Sequence, residues 1–441
     1  MSVLSTRSEP ALDPREPDPE PTATVGRAYV AARLATWIAT VAAHGARTGA
    51  EAVTGRLRRP ARRQVTVRGL TRLLIRLGPT FVKGGQLLST RQDLLPPAWC
   101  TVLGRLHDRV GPMPRRVAEA ALRGGYPDDA PPFAEFDWDG VASGSIAGVY
   151  RARLRDGRQV AVKVRRPAIS RRMRADFRLL RAGARLGQSV PGLRRVPMAR
   201  MVDHLALAVL RQLDFAAEAR ALEELRRNLD GLIQVPRPIP EASGDGVLVM
   251  EFVDGLDRFA PADFTREQRR EIVVRVLHGV YRMLFVDGLV HCDMHPGNLY
   301  LTRAGTVVLL DAGFVVRLDP KIKRLFAEFF LNLSTGRGEA GADVVLASAE
   351  HVAPGADLAA FREGVVDLIK VSHRQTAGQF RLAPFAARLF DLQRRYGVAA
   401  APDFVFPLLS LLVLEGMIND FDVDVDFQAE AIPTLLTVLR R

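Results

Sequence analysis

The chain has 441 residues and a formal net charge of +13, and 57 of its 62 basic residues are arginine, because lysine stands only at 83, 163, 321, 323 and 370. Apolar residues make up 48%, enough for large buried cores, and two cysteines, Cys100 and Cys292, exclude a disulfide framework and point to a reducing cytoplasm. No secretory signal opens the chain, no run reaches the roughly 18 to 20 apolar residues of a membrane span, and a nucleic-acid partner is excluded because zinc-ligand spacing and aromatics among the basic residues are both missing.

Residues 1–26, with five prolines and few large apolar groups in the first 25, read as a disordered leader. A helical extension is expected over 27–130. Its stretch Ala28 to Ala43 is apolar but broken by Arg33. Between Glu51 and Asp93 no acidic residue occurs and ten basic ones do. Within that interval Arg68, Arg72 and Arg76 recur every fourth residue, apart from Val67, Leu70, Leu73, Leu74 and Leu77. The period is that of an amphipathic helix. It either lies on an anionic bilayer, where each basic residue near the surface contributes about 1 kcal/mol, or packs on the protein with its arginines in solvent. Gly78-Pro79-Thr80-Phe81-Val82-Lys83-Gly84-Gly85-Gln86 follows.

A small lobe is expected over 131–252. It begins with the small-residue turn Ala142-Ser143-Gly144-Ser145-Ile146, of the kind whose backbone N–H groups approach phosphates closely. The alternating strand Val160-Ala161-Val162-Lys163-Val164 comes next and matches the V-A-I-K strand, whose lysine contacts the α- and β-phosphates. A chain that otherwise prefers arginine keeps lysine where a compact ammonium is needed. Two helices ending in the Glu218 segment and the strand Val247–Glu251 complete this lobe. The crossover at Glu251, Phe252 and Val253 is expected to meet adenine with its backbone.

The remainder, 253–441, reads as a helical large lobe in which Gln268 to Val286 is scaffold. Its cleft edge carries His291-Cys292-Asp293-Met294-His295-Pro296-Gly297-Asn298, then a hairpin from Leu299 to Leu310, then Asp311-Ala312-Gly313. An Asp, an Asn five positions later and a second Asp closing an apolar strand is the layout of a kinase catalytic loop and its metal-binding motif. Phosphoryl transfer needs a carboxylate near the attacking oxygen and hard oxygen ligands for Mg²⁺; Asp293 is the first, Asn298 and Asp311 the second.

Lys83-Gly84-Gly85-Gln86, as K-x-G-Q, together with the H-x-D-x-H-P-G-N loop, resembles the UbiB/AarF/ADCK family of atypical protein-kinase-like proteins over about residues 66 to 430. The resemblance implies an α+β, bilobal protein-kinase-like fold with an N-terminal helical K-x-G-Q extension. It implies ATP or ADP with Mg²⁺ as cofactors, and an ATPase or phosphotransferase acting for isoprenoid-lipid or quinone metabolism at the cytoplasmic face of a membrane. Partners under it are the nucleotide, an anionic membrane surface, an isoprenoid lipid and biosynthetic enzymes. A nucleotide-gated adaptor and a small-molecule phosphotransferase are the alternatives. Glu218 is expected to pair with Lys163, so Asp293, Lys163 and Glu218 form the catalytic set. Lys83, Gln86, Gln212 and Asp214 form the regulatory one, in which Gln212 replaces a family glutamate and would weaken a tether to the K-x-G-Q lysine. Gly144, Ala147-Gly148 and Ala312 depart further from the family pattern. After Gly313 the chain passes quickly to a helical segment, Lys321 to Leu333, without the long activation segment on which a peptide substrate docks.

Overall fold

The computed structural model describes residues 25–53, 69–90, 99, 102–103, 106, 111–189, 198–258, 263–292, 294, 298–373, 382–400, 408, 410–411, 415, 421 and 425–440. Most of the expected leader, the basic stretch 54–68, Cys100, Asp293 and the run 295–297 lie outside them.

Helix α1 (Arg27–Val53) opens the N-terminal region. A helical stretch over 69–77 follows, and Gly78, at φ +113°, turns the chain from it into α2 (Pro79–Thr90), which carries K-x-G-Q. The stretch 69–77 is the described part of the expected amphipathic helix. Leu77 is buried, Leu70, Leu73 and Leu74 are half-buried, and Arg72, Ile75 and Arg76 are exposed. Among the described residues no helix is long and apolar enough to cross a membrane.

Helix α3 (Arg115–Arg123) leads into the small lobe, whose strands β1 (Phe133–Ser143), β2 (Ala147–Leu154) and β3 (Gln159–Arg165) are antiparallel neighbours. Three helices follow where two were expected: α4 (Ile169–Gly187), α5 (Met198–Arg211) and α6 (Phe215–Asn228). The break before α6 has a local cause, since the Asp214 side chain accepts the Ala217 N–H at 2.9 Å and so caps a new helix. Strand β4 (Val247–Glu251) completes the sheet in the order β1-β2-β3-β4.

The period-two alternation of these strands sorts side chains between two cores. Tyr150, Ala152, Val160, Val162, Val164, Val247 and Val249 join Ala118 and Leu122 of α3 in an outer core. Ala147, Ala161, Leu248 and Met250 face the other way and belong to a core continuous with the large lobe. Lys163 lies in register with Val149 and Leu248, on that inner face.

In the large lobe β5 (Leu256–Arg258) precedes α7 (Arg266–Tyr281), which starts on a reciprocal cap between Thr265 and Gln268 and continues as a π-helical turn over Arg282–Asp287. Strands β6 (Leu289–His291), β7 (Leu299–Thr302), β8 (Val307–Leu309) and β9 (Val315–Arg317) then make two small sheets, β5-β7-β8 and β6-β9. The segment after α6 joins this lobe directly, with Gln234 N–H donating to Val307 O at 2.8 Å and Leu309 N–H to Gln234 O at 2.9 Å. Helix α8 (Pro320–Ser334) starts only three residues after β9, capped by Asp319. Helices α9 (Gly338–Ala347), α10 (Leu358–His373), α11 (Leu382–Tyr396) and α12 (Phe427–Leu439) enclose a core in which Tyr281, Phe285, Phe326, Phe329, Phe330, Phe361 and Phe390 are fully buried. Glu415 caps α11 from inside, its two carboxylate oxygens accepting the Leu382 and Ala383 N–H groups at 2.8 and 2.9 Å.

One buried carboxylate fastens the N-terminal helices to the small lobe. Asp176, on α4, is fully buried; its Oδ1 accepts Arg33 Nε at 2.9 Å, Arg33 Nη2 at 2.7 Å and Trp37 Nε1 at 3.2 Å, all from α1. Its Oδ2 accepts Thr80 Oγ1 of α2 at 2.7 Å. The Arg33 that interrupts the apolar run of α1 is thus an internal ion-pair partner.

Candidate active site

Lys163 Nζ lies 2.7 and 2.9 Å from the two carboxylate oxygens of Glu218 and 3.0 Å from Asp311 Oδ2. Strand alternation presents Lys163 to the cleft, and the Asp214 cap starts α6 so that Glu218 falls one turn in, facing β3. The Phe215 ring completes the enclosure, with Nζ 5.2 Å from its centroid. Side-chain exposure falls from 37% at Asp311 to 13% at Lys163 and 2% at Glu218, so Asp311 is the member that opens toward the cleft.

The charges follow from this arrangement. Burial works against the Lys163 ammonium, but the Asp311 and Glu218 carboxylates outweigh it and hold its pKa above the ordinary lysine value. Burial also opposes ionisation of Asp311, yet the Lys163 ammonium and the Gly313 N–H, 2.6 Å from Oδ1, hold its carboxyl well below the usual range. Glu218, with least access to water, is pushed up to about 7 by burial against the pull of Lys163.

Asp311 is fixed by its backbone as well. His291 is completely buried on β6, and its Nε2 donates to Asp311 O at 2.8 Å, which sets the tautomer. Ser410 Oγ in turn donates to His291 O at 3.2 Å. Asn298 O accepts the Leu310 N–H at 3.1 Å, so Asn298 and Asp311 stand at the same end of the β7–β8 hairpin. Asp293 lies outside the described residues; of its neighbours in the chain, Cys292 donates its N–H to Phe314 O at 3.0 Å and Met294 is buried.

Ala142 and Ser143 end β1, Gly144 N–H donates to Ala147 O at 2.9 Å to close the turn, and Ile146 is buried toward the inner core. Ser145 is fully buried, and its Oγ has no hydrogen-bond partner among the described residues. Arg166, just past β3, clamps this turn: Nε donates to Gly144 O at 2.9 Å, and Nη2 donates to Ser143 Oγ at 2.9 Å and to Gly111 O at 2.7 Å. At the crossover the Glu251 N–H is already committed to Arg237 O at 2.8 Å, and the Phe252 ring lies 4.8 Å from the Arg151 guanidinium. Val253 is half-buried beside it.

Helix α2 packs on α4 and α5, with Gly84 against Leu205, Gly85 against Leu106, and Gln86 Nε2 donating to Leu106 O at 2.8 Å. Lys83 is half-buried on the same helix. Gln212 Nε2 turns back to Ala208 O of its own helix at 3.4 Å, and Asp214 serves as the cap of α6. His291 and Arg166 were not singled out from the sequence. His291 carries a signal, as the first residue of the catalytic-loop motif; Arg166 is hidden among 57 arginines.

This fold is that of a protein-kinase-like protein. The model of the ABC1 atypical kinase-like domain matches residues 105–340. The chain is 31% identical over 373 residues to the probable protein kinase UbiB of Aeromonas hydrophila, covering 81% of this chain and 68% of that protein. It is 34% identical over 278 residues to the uncharacterized protein slr0889 of Synechocystis, covering 59% and 68%. The solved structure of Rv3197 from Mycobacterium tuberculosis, described as a complex with erythromycin, superposes with a TM-score of 0.55 at 20% identity over 86% of this chain and 97% of that one. The chain belongs to the UbiB/ADCK family of ABC1 atypical kinases.

Proposed function

We propose that the cleft around Lys163 and Asp311 binds MgATP or MgADP and hydrolyses ATP or transfers its terminal phosphoryl group. The observation that carries this reading is the Lys163–Glu218–Asp311 cluster, an ammonium held charged at the cleft between two carboxylates contributed by different lobes. In this reading Glu218 aims Lys163, Lys163 neutralises the α- and β-phosphates, and Ala142 to Ile146 cover them with backbone N–H groups. The crossover from Glu251 to Val253 receives adenine; because the Glu251 N–H is taken, its carbonyl and the Val253 backbone are left for that role. Asp293 accepts the proton of the attacking hydroxyl or water.

The residues fit Mg²⁺. Asp311 keeps exposure toward the cleft and Asn298 stands at the same hairpin end. Among the described residues no group of three or more His, Cys, Asp or Glu side chains forms a metal site. A sparse oxygen set of this kind suits a cation that keeps waters and shares phosphate oxygens with its substrate. When bound, the ion neutralises charge on the transferred group.

The acceptor class follows from what α8 leaves out. With β9 ending at Arg317 and α8 starting at Pro320, little chain remains for a peptide platform, which favours water or a small acceptor over a protein substrate. The UbiB relatives lead us to assign the activity to isoprenoid-lipid or quinone metabolism at a membrane surface, with the basic N-terminal interval as its contact. Lys83, Gln86, Gln212 and Asp214 would set how the N-terminal helices respond to nucleotide. The test is equilibrium binding of MgATP and MgADP to the full chain, followed by single-turnover hydrolysis. Asp293→Asn should bind nucleotide and lose turnover, whereas a nucleotide-gated adaptor would keep its function with that substitution.

A further inference from the structure

The turn at residues 143–147 is tied down at both ends by Arg166. The Arg166 N–H donates to Ile146 O at 2.8 Å, and the guanidinium reaches the other end, with Nε 2.9 Å from Gly144 O and Nη2 2.9 Å from Ser143 Oγ. Within the turn the Gly144 N–H is bonded to Ala147 O. Arg166 stands three residues after Lys163, where β3 has just ended at Arg165. The turn assigned to the phosphates and the ammonium beneath that assignment are therefore positioned by one continuous stretch of chain.

The same guanidinium reaches a third segment. Nη2 donates to Gly111 O at 2.7 Å, and Ser143 Oγ donates to that carbonyl at 3.1 Å, so Arg166, Ser143 and Gly111 close a triangle of hydrogen bonds. Two residues on, Met113 is buried in the outer core, and its Cε lies 3.2 Å from the point that a Cβ on Gly148 would occupy. Gly148 is the partner of Ser143 in the β1–β2 register. Residues 111–113 are thus seated on the turn by hydrogen bonds and by packing. They follow Leu106, whose carbonyl accepts Gln86 Nε2 of the K-x-G-Q helix. A planar fork of N–H donors serves several acceptors at once, which a lysine ammonium on a flexible stem does not.

Resting on the assignment of the cleft to nucleotide, we propose that Arg166 is a positioning residue for the nucleotide phosphates and couples them to the segment that follows the K-x-G-Q helix. A turn fixed before the ligand arrives loses little freedom on binding, so the grip of Arg166 is read out as affinity for the phosphates. Adenine, received at the crossover, gains little from it. Coupling runs both ways, so bound nucleotide steadies residues 111–118 in return.

The test compares MgATP, MgADP and adenosine binding by the full chain, wild type and variant, with hydrogen exchange on the same samples. Arg166→Gln should weaken MgATP and MgADP by about tenfold or more, as for the loss of charge-assisted hydrogen bonds, and adenosine by less than about twofold. A general loss of structure would weaken all three alike. Arg166→Lys should resemble Arg166→Gln, because charge alone does not bridge these acceptors. Ser143→Ala should weaken MgADP less, and combined with Arg166→Gln it should cost less than the product of the two single effects. Without nucleotide, exchange over 142–148 should quicken in Arg166→Gln while 159–165 stays protected. MgADP should slow exchange over 111–118 in the wild type and not in Arg166→Gln. Wild type that binds neither nucleotide overturns the cleft assignment and the binding role of Arg166 with it, and nucleotide-free exchange then still reports whether Arg166 holds the turn. Wild type that binds them overturns the role of Arg166 alone if Arg166→Gln binds MgADP as well as wild type, loses adenosine equally, or is matched by full rescue in Arg166→Lys.

Discussion

Replacing Asp176 by alanine should separate the N-terminal helices from the kinase body. Asp176 accepts hydrogen bonds from three side chains on two helices, and it is the carboxylate that neutralises Arg33, which is itself 9% exposed. Removing one partner of a buried ion pair leaves a charge out of water and costs about 3–5 kcal/mol. Loss of the Thr80 bond alone is smaller, about 1.5–3 kcal/mol, as for other hydrogen bonds to a charged group. Asp176→Ala should therefore lower stability by about 3–5 kcal/mol, Thr80→Val by about half that, and Arg33→Met with Asp176→Leu by less than either single loss of a charge. Urea unfolding followed through Trp37, which touches the carboxylate at 3.2 Å, reads the energies, and hydrogen exchange in α1 and α2 reads where they are lost. A change of less than about 1 kcal/mol in Asp176→Ala, with exchange in α1 unaltered, would refute the clamp.

Ala168 holds a left-handed conformation at φ +57°, which costs a residue with a side chain about 1–2 kcal/mol, so Ala168→Gly should raise stability by about 0.5–1 kcal/mol after the glycine entropy penalty; thermal unfolding checks the sign. A Cβ at Gly85 would overlap Leu106 Cδ1, whereas one at Gly84 would meet Leu205 Cδ2 at 3.3 Å. Gly85→Ala should therefore cost about 1–3 kcal/mol and Gly84→Ala markedly less, measured by denaturant midpoints. Because the Glu218 carboxyl is raised from 4.5 to about 7 in the folded protein, its contribution to nucleotide-free stability is complete below pH 4.5 and is lost as pH rises to 7. Glu218→Gln should flatten that part of the stability profile. Asp311, shifted the other way, contributes fully above its ordinary value and loses its contribution only on acidification below it.

The cleft was legible because its chemistry dictates spacing. Asn298 and Asp311 belong together since a hairpin of two short apolar strands returns the chain, and Lys163 stands out in a chain with five lysines. Glu218 was reachable from the resemblance alone. Arg166 and Asp176 were not, for opposite reasons. Arg166 is one of 57 arginines, and nothing in its neighbourhood marks it as the residue that grips Gly144. Asp176 acquires its partners only when α1 and α2 fold back over α4, at a separation of 143 residues from Arg33. Asp214 illustrates a third limit: an acidic residue just before Glu218 fits a tether and a helix cap equally well, and its contact with the Ala217 N–H comes from the backbone break that no periodicity in α5 and α6 announces.

The most direct measurement is Mg²⁺-dependent ATP binding and hydrolysis by the purified full chain, with and without anionic liposomes, alongside Asp311→Asn. The cluster of Lys163, Glu218 and Asp311 predicts binding that requires Mg²⁺ and hydrolysis that rises on liposomes and disappears in the variant. Absence of Mg²⁺-dependent binding in the wild type, or turnover that survives Asp311→Asn, would contradict the assignment of this cleft.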